Sequence, residues 1–234
     1  MTLVNYLLTN DDGIEAPGLA ALKELVSGNG NCLVVAPSDE QSGCSHRATT
    51  HDAFKIHQVD ERSFAVDGTP ADCVRVGLHR FRDDFDFVLA GINAGGNLGV
   101  DAYHSGTIAA VREAALHGVP GVALSHYRTR TLSPSDWDRA VRWVRPVLGD
   151  LRSRRWEPGT LWNINVPCLA PDAADPDVVF CPLDLSPLPL GYHEEEPQTL
   201  RYRGDYHNRR RTPGQDVDVC FGGRIAVTRV RLAG

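Results

Sequence analysis

The sequence predicts an α/β protein with a mostly parallel sheet covered by helices, and three observations predict it. Short apolar runs recur along the chain, helical stretches fall between several of them, and three of the runs end in polar, glycine-bearing loops. With 234 residues, 42% of them hydrophobic, the chain suits one substantial core without a second globular domain.

Residues 4–9 form the first strand and 32–36 the second, with Leu19, Leu22, Leu25 and Val26 between them as one helical stripe. Thr69-Pro70 reads as a cap and first-turn proline for a helix over 71–79. Strands at 87–90 and 121–124 bracket a third helix over about 107–117, which Gly118 and Pro120 stop. Ser133-Pro134 opens a fourth helix carrying Trp137, Val141 and Val144, and 161–166 is a further strand. Strand alternating with helix implies right-handed crossovers, so the loops after the strands gather along one edge of the sheet.

From about Pro167 the composition turns proline-rich and charged, with Glu194-Glu195-Glu196 and Arg209-Arg210-Arg211 separated by alternating residues such as Tyr202, Tyr206, Val217 and Val219. The expected division is a core over 1–166 and extended arms and hairpins over 167–234. The charge runs read as solvated faces, with pairing between subunits as the alternative.

The formal charge of −6 and the scattered arginines leave no basic stripe for a nucleic-acid polymer or an anionic membrane. No basic-then-apolar leader and no bilayer-length apolar stretch is present, so a cytoplasmic location is expected. Cys32, Cys44, Cys73, Cys168, Cys181 and Cys220 are dispersed without zinc spacing and are expected to be reduced. Cys44 alone lies in a polar loop beside candidate site residues, where a filling role is expected.

Three loops converge on the predicted edge: Asn10-Asp11-Asp12-Gly13, Pro37-Ser38-Asp39-Glu40-Gln41-Ser42-Gly43, and Gly91-Ile92-Asn93-Ala94-Gly95-Gly96-Asn97. Two adjacent carboxylates repel, and a hard cation offsets that repulsion. Asp11, Asp12, Ser42 and Asn93 offer only oxygen, a set that selects magnesium, manganese or calcium over zinc or copper. The competing reading is that Asn, Asp and Gly merely turn the chain and cap the next helix. Downstream, His104-Ser105-Gly106-Thr107 opens the third helix with hydroxyls and free N–H groups, either a phosphate cradle or a simple cap. Gly95, Gly96 and Gly99 allow close backbone approach to a ligand, and Asn97 can donate to phosphate without adding charge.

Together these residues resemble the survival protein SurE family of metal-dependent nucleotidases. The matching blocks are Thr9-Asn10-Asp11-Asp12-Gly13-Ile14, Val35-Ala36-Pro37 with Gln41-Ser42-Gly43, Gly68-Thr69-Pro70-Ala71-Asp72-Cys73-Val74, Gly91-Ile92-Asn93 with Asn97-Leu98-Gly99, and Ser105-Gly106-Thr107 with Arg112-Glu113-Ala114-Ala115. Later similarity in Asn163-Ile164-Asn165-Val166-Pro167, Gly214-Gln215-Asp216, Gly223 and Val227-Thr228 extends it over nearly the whole chain, weakly through 171–208. The resemblance implies a Rossmann-like core, with C-terminal arms exchanged in a homodimer or tetramer. It implies one divalent ion, Mg2+ or Mn2+, per subunit on Asp11, Asp12, Ser42 and Asn93, with Asn97, Ser105, Gly106 and Thr107 near the phosphate.

One block departs from the family: Ser42-Gly43 continues as Cys44-Ser45-His46-Arg47, where the family usually has a second glycine and then a small hydroxyl residue. Arg47 is either a clamp for the substrate's phosphate or a solvent-facing residue. The expected activity is hydrolysis of nucleoside 5'- or 3'-monophosphates, with Asp11 and Asp12 as the catalytic carboxylates. The alternatives are another small phosphate ester as substrate and a sensor that binds without turnover. A covalent role for Asp11 or Asp12 is disfavoured, because both are committed to the metal. His46, His104 and His126 receive no role.

Overall fold

The computed structural model describes residues 3–81 and 85–232. Its main sheet has nine strands, and β1 (Val4–Thr9) lies near the centre, buried over its last four residues. On one side follow β2 (Gly30–Pro37), β4 (Ser63–Val66) and the edge strand β3 (Ile56–Asp60). On the other side follow β5 (Phe87–Asn93), β6 (Gly121–His126), β7 (Thr160–Val166), β11 (Ile225–Arg231) and β8 (Val178–Phe180). From β4 through β7 every neighbouring pair is parallel, while β3 with β4 and β7 with β11 run antiparallel. The order reverses at β1, whose chain neighbour β2 lies on one side and β5 on the other. In open parallel sheets, that reversal beyond the carboxyl ends is where ligands bind.

Helices cover both faces. α1 (Pro17–Val26) and α4 (Pro134–Ser153) pack one apolar cluster with Leu8, Val34, Leu89 and Ile164. α2 (Pro70–Val76) and α3 (Gly106–Leu116) close the other face over Leu7, Val35, Val88 and Ala123. The helix starts follow local chemistry. Thr69 and Asp72 form a capping box ahead of Pro70, and the Ser105 hydroxyl accepts the Ile108 N–H at 3.1 Å. The helix expected over 71–79 is α2 running into one π-turn, Gly77–Phe81. α1 sits so close to β5 that a Cβ on Gly18 would lie 1.9 Å from the Ile92 carbonyl oxygen.

The last third is more than arm. β9 (Tyr192–Glu196) and β10 (Thr199–Tyr202) do form an exposed hairpin carrying Tyr192, Leu200 and Tyr202 at its surface. But β11 returns to the main sheet with Ile225, Ala226 and Val227 buried, and α5 (Asp216–Phe221) buries Val217, Val219 and Cys220. Among the described residues no helix is long and apolar enough to cross a membrane. The six cysteines are unpaired.

Candidate active site

β1 delivers Asn10, Asp11 and Asp12 to the carboxyl edge, and Gly13 turns the chain away with a φ of 101°, a conformation glycine adopts freely. Asn10 Nδ2 donates to the Gly13 carbonyl at 2.7 Å and locks that turn. The loop after β2 is tied in by the Gln41 N–H, which donates to the Asp11 carbonyl at 2.7 Å.

Asp11 is 5% exposed, and its Oδ1 accepts the Thr107 hydroxyl proton at 2.6 Å. Thr107 Oγ1 lies 3.3 Å from Asn97 Nδ2, which also donates to Ser125 Oγ at 2.8 Å. Asp12, partly buried, accepts the Ala94 N–H on Oδ2 at 3.1 Å. α3 abuts this pair: a Cβ on Gly106 would come 3.0 Å from Asp11 Cβ and Oδ2 and 3.1 Å from Cys44 Sγ. A side chain at this position would crowd the Asp11 carboxylate and the Cys44 thiol, so glycine suits the close approach.

Burial pushes the Asp11 carboxyl up to about 6, with the Asp12 charge adding to the rise and the Thr107 hydrogen bond opposing it. Asp12 is raised as well, chiefly by burial and further by Glu40, against the Ala94 N–H and the Arg128 charge. A folded pKa of about 6 against an ordinary 3.8 means the native state holds this proton more tightly than the unfolded chain. Its contribution is therefore present at low pH and is lost as pH rises through that window. Metal-free protein is expected to lose on the order of 2 kcal/mol relative to Asp11→Asn as pH climbs through that window. Parallel melting profiles of the two proteins would contradict it.

The remaining predicted residues are placed as follows. Asn93 Nδ2 donates to the Gly95 carbonyl at 2.8 Å, leaving its side-chain oxygen unengaged, and exposed Ser42 donates to Glu40 Oε1 at 2.6 Å. Asn97 is buried with its amide spent on Thr107 and Ser125, so it orients Thr107 from behind. The Ser105 hydroxyl caps α3, while the Gly106 N–H belongs to the unpaired donors of the first turn. Arg47 is exposed, its carbonyl accepts the Thr69 hydroxyl at 2.5 Å, and its charge reaches the Cys44 thiol. His46 Nε2 lies 2.8 Å from Glu113 Oε2, whereas buried His126 has its protonated form disfavoured, mainly by burial.

Four contributors escape sequence reasoning. Glu40 bonds Ser42 and raises Asp12, although it stands in a loop whose other members suggest turn chemistry. Asn165 Oδ1 accepts the Asn97 N–H at 2.8 Å, and Asn163 and Asn165 both donate to the Asn97 carbonyl, at 2.8 and 3.1 Å. Ser125 completes the ring from β6. The signal for the asparagines is two buried amides two residues apart on a core strand, both facing one side.

The donor set fits a hard cation. Asp11 is fixed by the Thr107 hydroxyl, with the backbone N–H groups of Asp11 and Thr107 also favouring its charged form, while Asp12 and Asn93 each spend one atom on a protein partner and, among the described residues, keep an oxygen free; Ser42 keeps oxygen lone pairs. A buried and a partly buried carboxylate, both with raised pKa values and lacking a paired cation among the described residues, are what such an ion would relieve.

The sequence profile described as "Survival protein SurE" matches residues 6–183. A Nostoc sp. strain PCC 7120 protein, provisionally named a 5'-nucleotidase, is 51% identical over 98% of this chain and 100% of its own length. The "5'-nucleotidase SurE" of Clostridium beijerinckii is 36% identical over 70% of this chain and 67% of its own. The crystal structure of the SurE protein from Aquifex aeolicus superposes with a TM-score of 0.85 at 27% identity, covering 97% of this chain and 93% of that one.

Proposed function

Since this chain belongs to the survival protein SurE family, we propose that it is a divalent-metal-dependent phosphomonoesterase that hydrolyses nucleoside monophosphates to nucleoside and phosphate. The observation that carries this reading is the packing of α3's N-terminus directly against Asp11, beside Asp12. A helix N-terminus attracts an anion, and two carboxylates repel one. A carboxylate at that helix end is itself favourable, and a cation shared with Asp11 and Asp12 is what lets a second anion, the substrate's phosphate, join them there.

Magnesium or manganese, one per chain, would be held by Asp11, Asp12, Ser42 and Asn93, where such an ion supplies charge neutralisation on phosphoryl oxygens and an acidified water. The protein's own residues do the positioning. Gly106 and Ser105 bring the phosphate to the dipole end of α3, and the Gly106 N–H faces the charge that develops on its equatorial oxygens. Thr107 holds Asp11 in one rotamer through its donated proton, and Asn97 with Ser125 holds Thr107. Arg47, exposed on the adjoining loop, is free to pair with the substrate's phosphate. We also infer a cytoplasmic protein that pairs with its own copy through the exposed β9–β10 hairpin, where Leu200 is 63% and Tyr192 59% exposed.

Phosphate release from nucleoside 5'- and 3'-monophosphates and small phosphate esters, with Mn2+, with Mg2+ and with chelator, tests the reading. Release that needs metal and favours nucleotides is expected. Nucleotide binding without turnover across the whole panel would overturn it.

A further inference from the structure

The loop that carries Asn97 is gripped by a segment beyond the family match, which ends at residue 183. Asp205 turns that segment by accepting the His207 and Asn208 N–H groups at 3.0 and 3.1 Å, and Tyr206 and Arg209 come down on the glycine loop. Tyr206 Oη lies 2.7 Å from Asp101 Oδ2 and 3.2 Å from the Gly96 carbonyl. Arg209, 3% exposed, sets Nη1 2.8 Å from the same Asp101 oxygen and 3.4 Å from the Leu98 carbonyl. Asp216 closes the far end, its Oδ2 accepting the Gly99 N–H at 2.7 Å.

The fit is tight. A Cβ on Gly99, whose φ is 58°, would stand 2.5 Å from the Asp184 carbonyl oxygen and 3.2 Å from Arg209 Nη2. One on Gly96 would stand 3.4 Å from Tyr206 Oη. Residues 96–99 are thus clamped between the β7 asparagines and the C-terminal segment. Arg209 is a poor device for stability alone, because its buried Nε and Nη2 find no partner among the described residues, and an incompletely paired buried cation is costly. Its guanidinium lies 5.2 Å from the Tyr206 ring centroid, which offsets part of that cost. Burial also pushes the Tyr206 phenol well above its ordinary range, so the hydroxyl keeps its proton and donates.

We propose that Tyr206 and Arg209 are positioning residues for the phosphate site: by fixing residues 96–99 they hold Asn97 against Thr107, and thereby Asp11 in register with the start of α3. The proposal rests on the phosphomonoesterase reading for the identity of the ligand. The grip itself is measurable without any ligand.

Tyr206→Phe keeps the ring and removes one hydroxyl; Arg209→Lys keeps the charge and loses the planar fork. In both, amide exchange at residues 96–99 is expected to accelerate at least about tenfold. KM for a nucleoside monophosphate and Kd for inorganic phosphate, measured by calorimetry with Mn2+, should each rise about tenfold, with the change falling mainly on KM. Exchange at the wild-type rate overturns the proposal, and so does faster exchange with unchanged KM and phosphate Kd, which is the mark of a purely structural contact. A wild-type protein that neither releases nor binds phosphate overturns the phosphomonoesterase reading instead, and the exchange rates then decide the grip alone.

Discussion

The Asp11→Asn protein is expected to release phosphate at least about a thousandfold more slowly than wild type, equivalent to ~4 kcal/mol of lost transition-state stabilisation. Asparagine has nearly the same volume, and its oxygen can still accept the Thr107 hydroxyl, so the ring through Asn97 and Ser125 survives. What disappears is one of two negative charges in a 5% exposed position. Because burial makes that charge a liability to the metal-free fold, the same variant should melt higher than wild type in chelator above pH 6, by roughly 4 to 8 °C. An inactive but sturdier protein is the signature of a site maintained for function at the expense of stability. Retention of more than a tenth of wild-type activity would show that this carboxylate is dispensable.

Gly18→Ala is expected to destabilise the protein by about 3 kcal/mol or more and to lower its melting point by roughly 10 °C. The methyl group would stand 1.9 Å from the Ile92 carbonyl oxygen and 3.4 Å from Trp137 Cη2, and the nearest obstacle is backbone that cannot rotate away. α1 must then retreat from β5. Since Ile92 leads into Asn93, the retreat also disturbs the candidate site. Gly149→Ala, inside α4 with nothing within 4 Å of the new methyl, should instead stabilise by about 0.5–1 kcal/mol. Differential scanning calorimetry on the two variants decides, and equal signs would refute the steric argument.

The buried parallel strands were legible because burial on both faces leaves nearly unbroken apolar runs: the reading of 4–9 coincides with β1, and the run at 161–166 lies within β7. Helix starts were legible where a capping residue precedes proline, as at Thr69 and Ser133. β3 was not, because His57, Gln58, Val59 and Asp60 are all exposed and the strand carries no apolar signature. Nor was β11: Ile225, Ala226 and Val227 form only a short run within proline-rich, charged surroundings, and its partner β7 lies more than fifty positions away in sequence. At the site, residue types with obvious ligand chemistry stood out in the converging loops. The residues that only orient others, Asn165, Ser125 and Glu40, did not, because a pairing set by tertiary approach leaves no local spacing to read.

The return of β11 to the outer edge of β7 gives the fold a definite order of completion on the ribosome. Every parallel strand from β1 to β7, with Asp11, Asp12 and Asn93, emerges first, yet the edge of β7 stays open until residues 225–231 are made. Tyr206, Arg209 and Asp216 arrive in the same late stretch. A nascent chain halted before residue 206 carries Asp11, Asp12 and Asn93 without those later contacts, so completion of the β7 edge waits on residues 225–231.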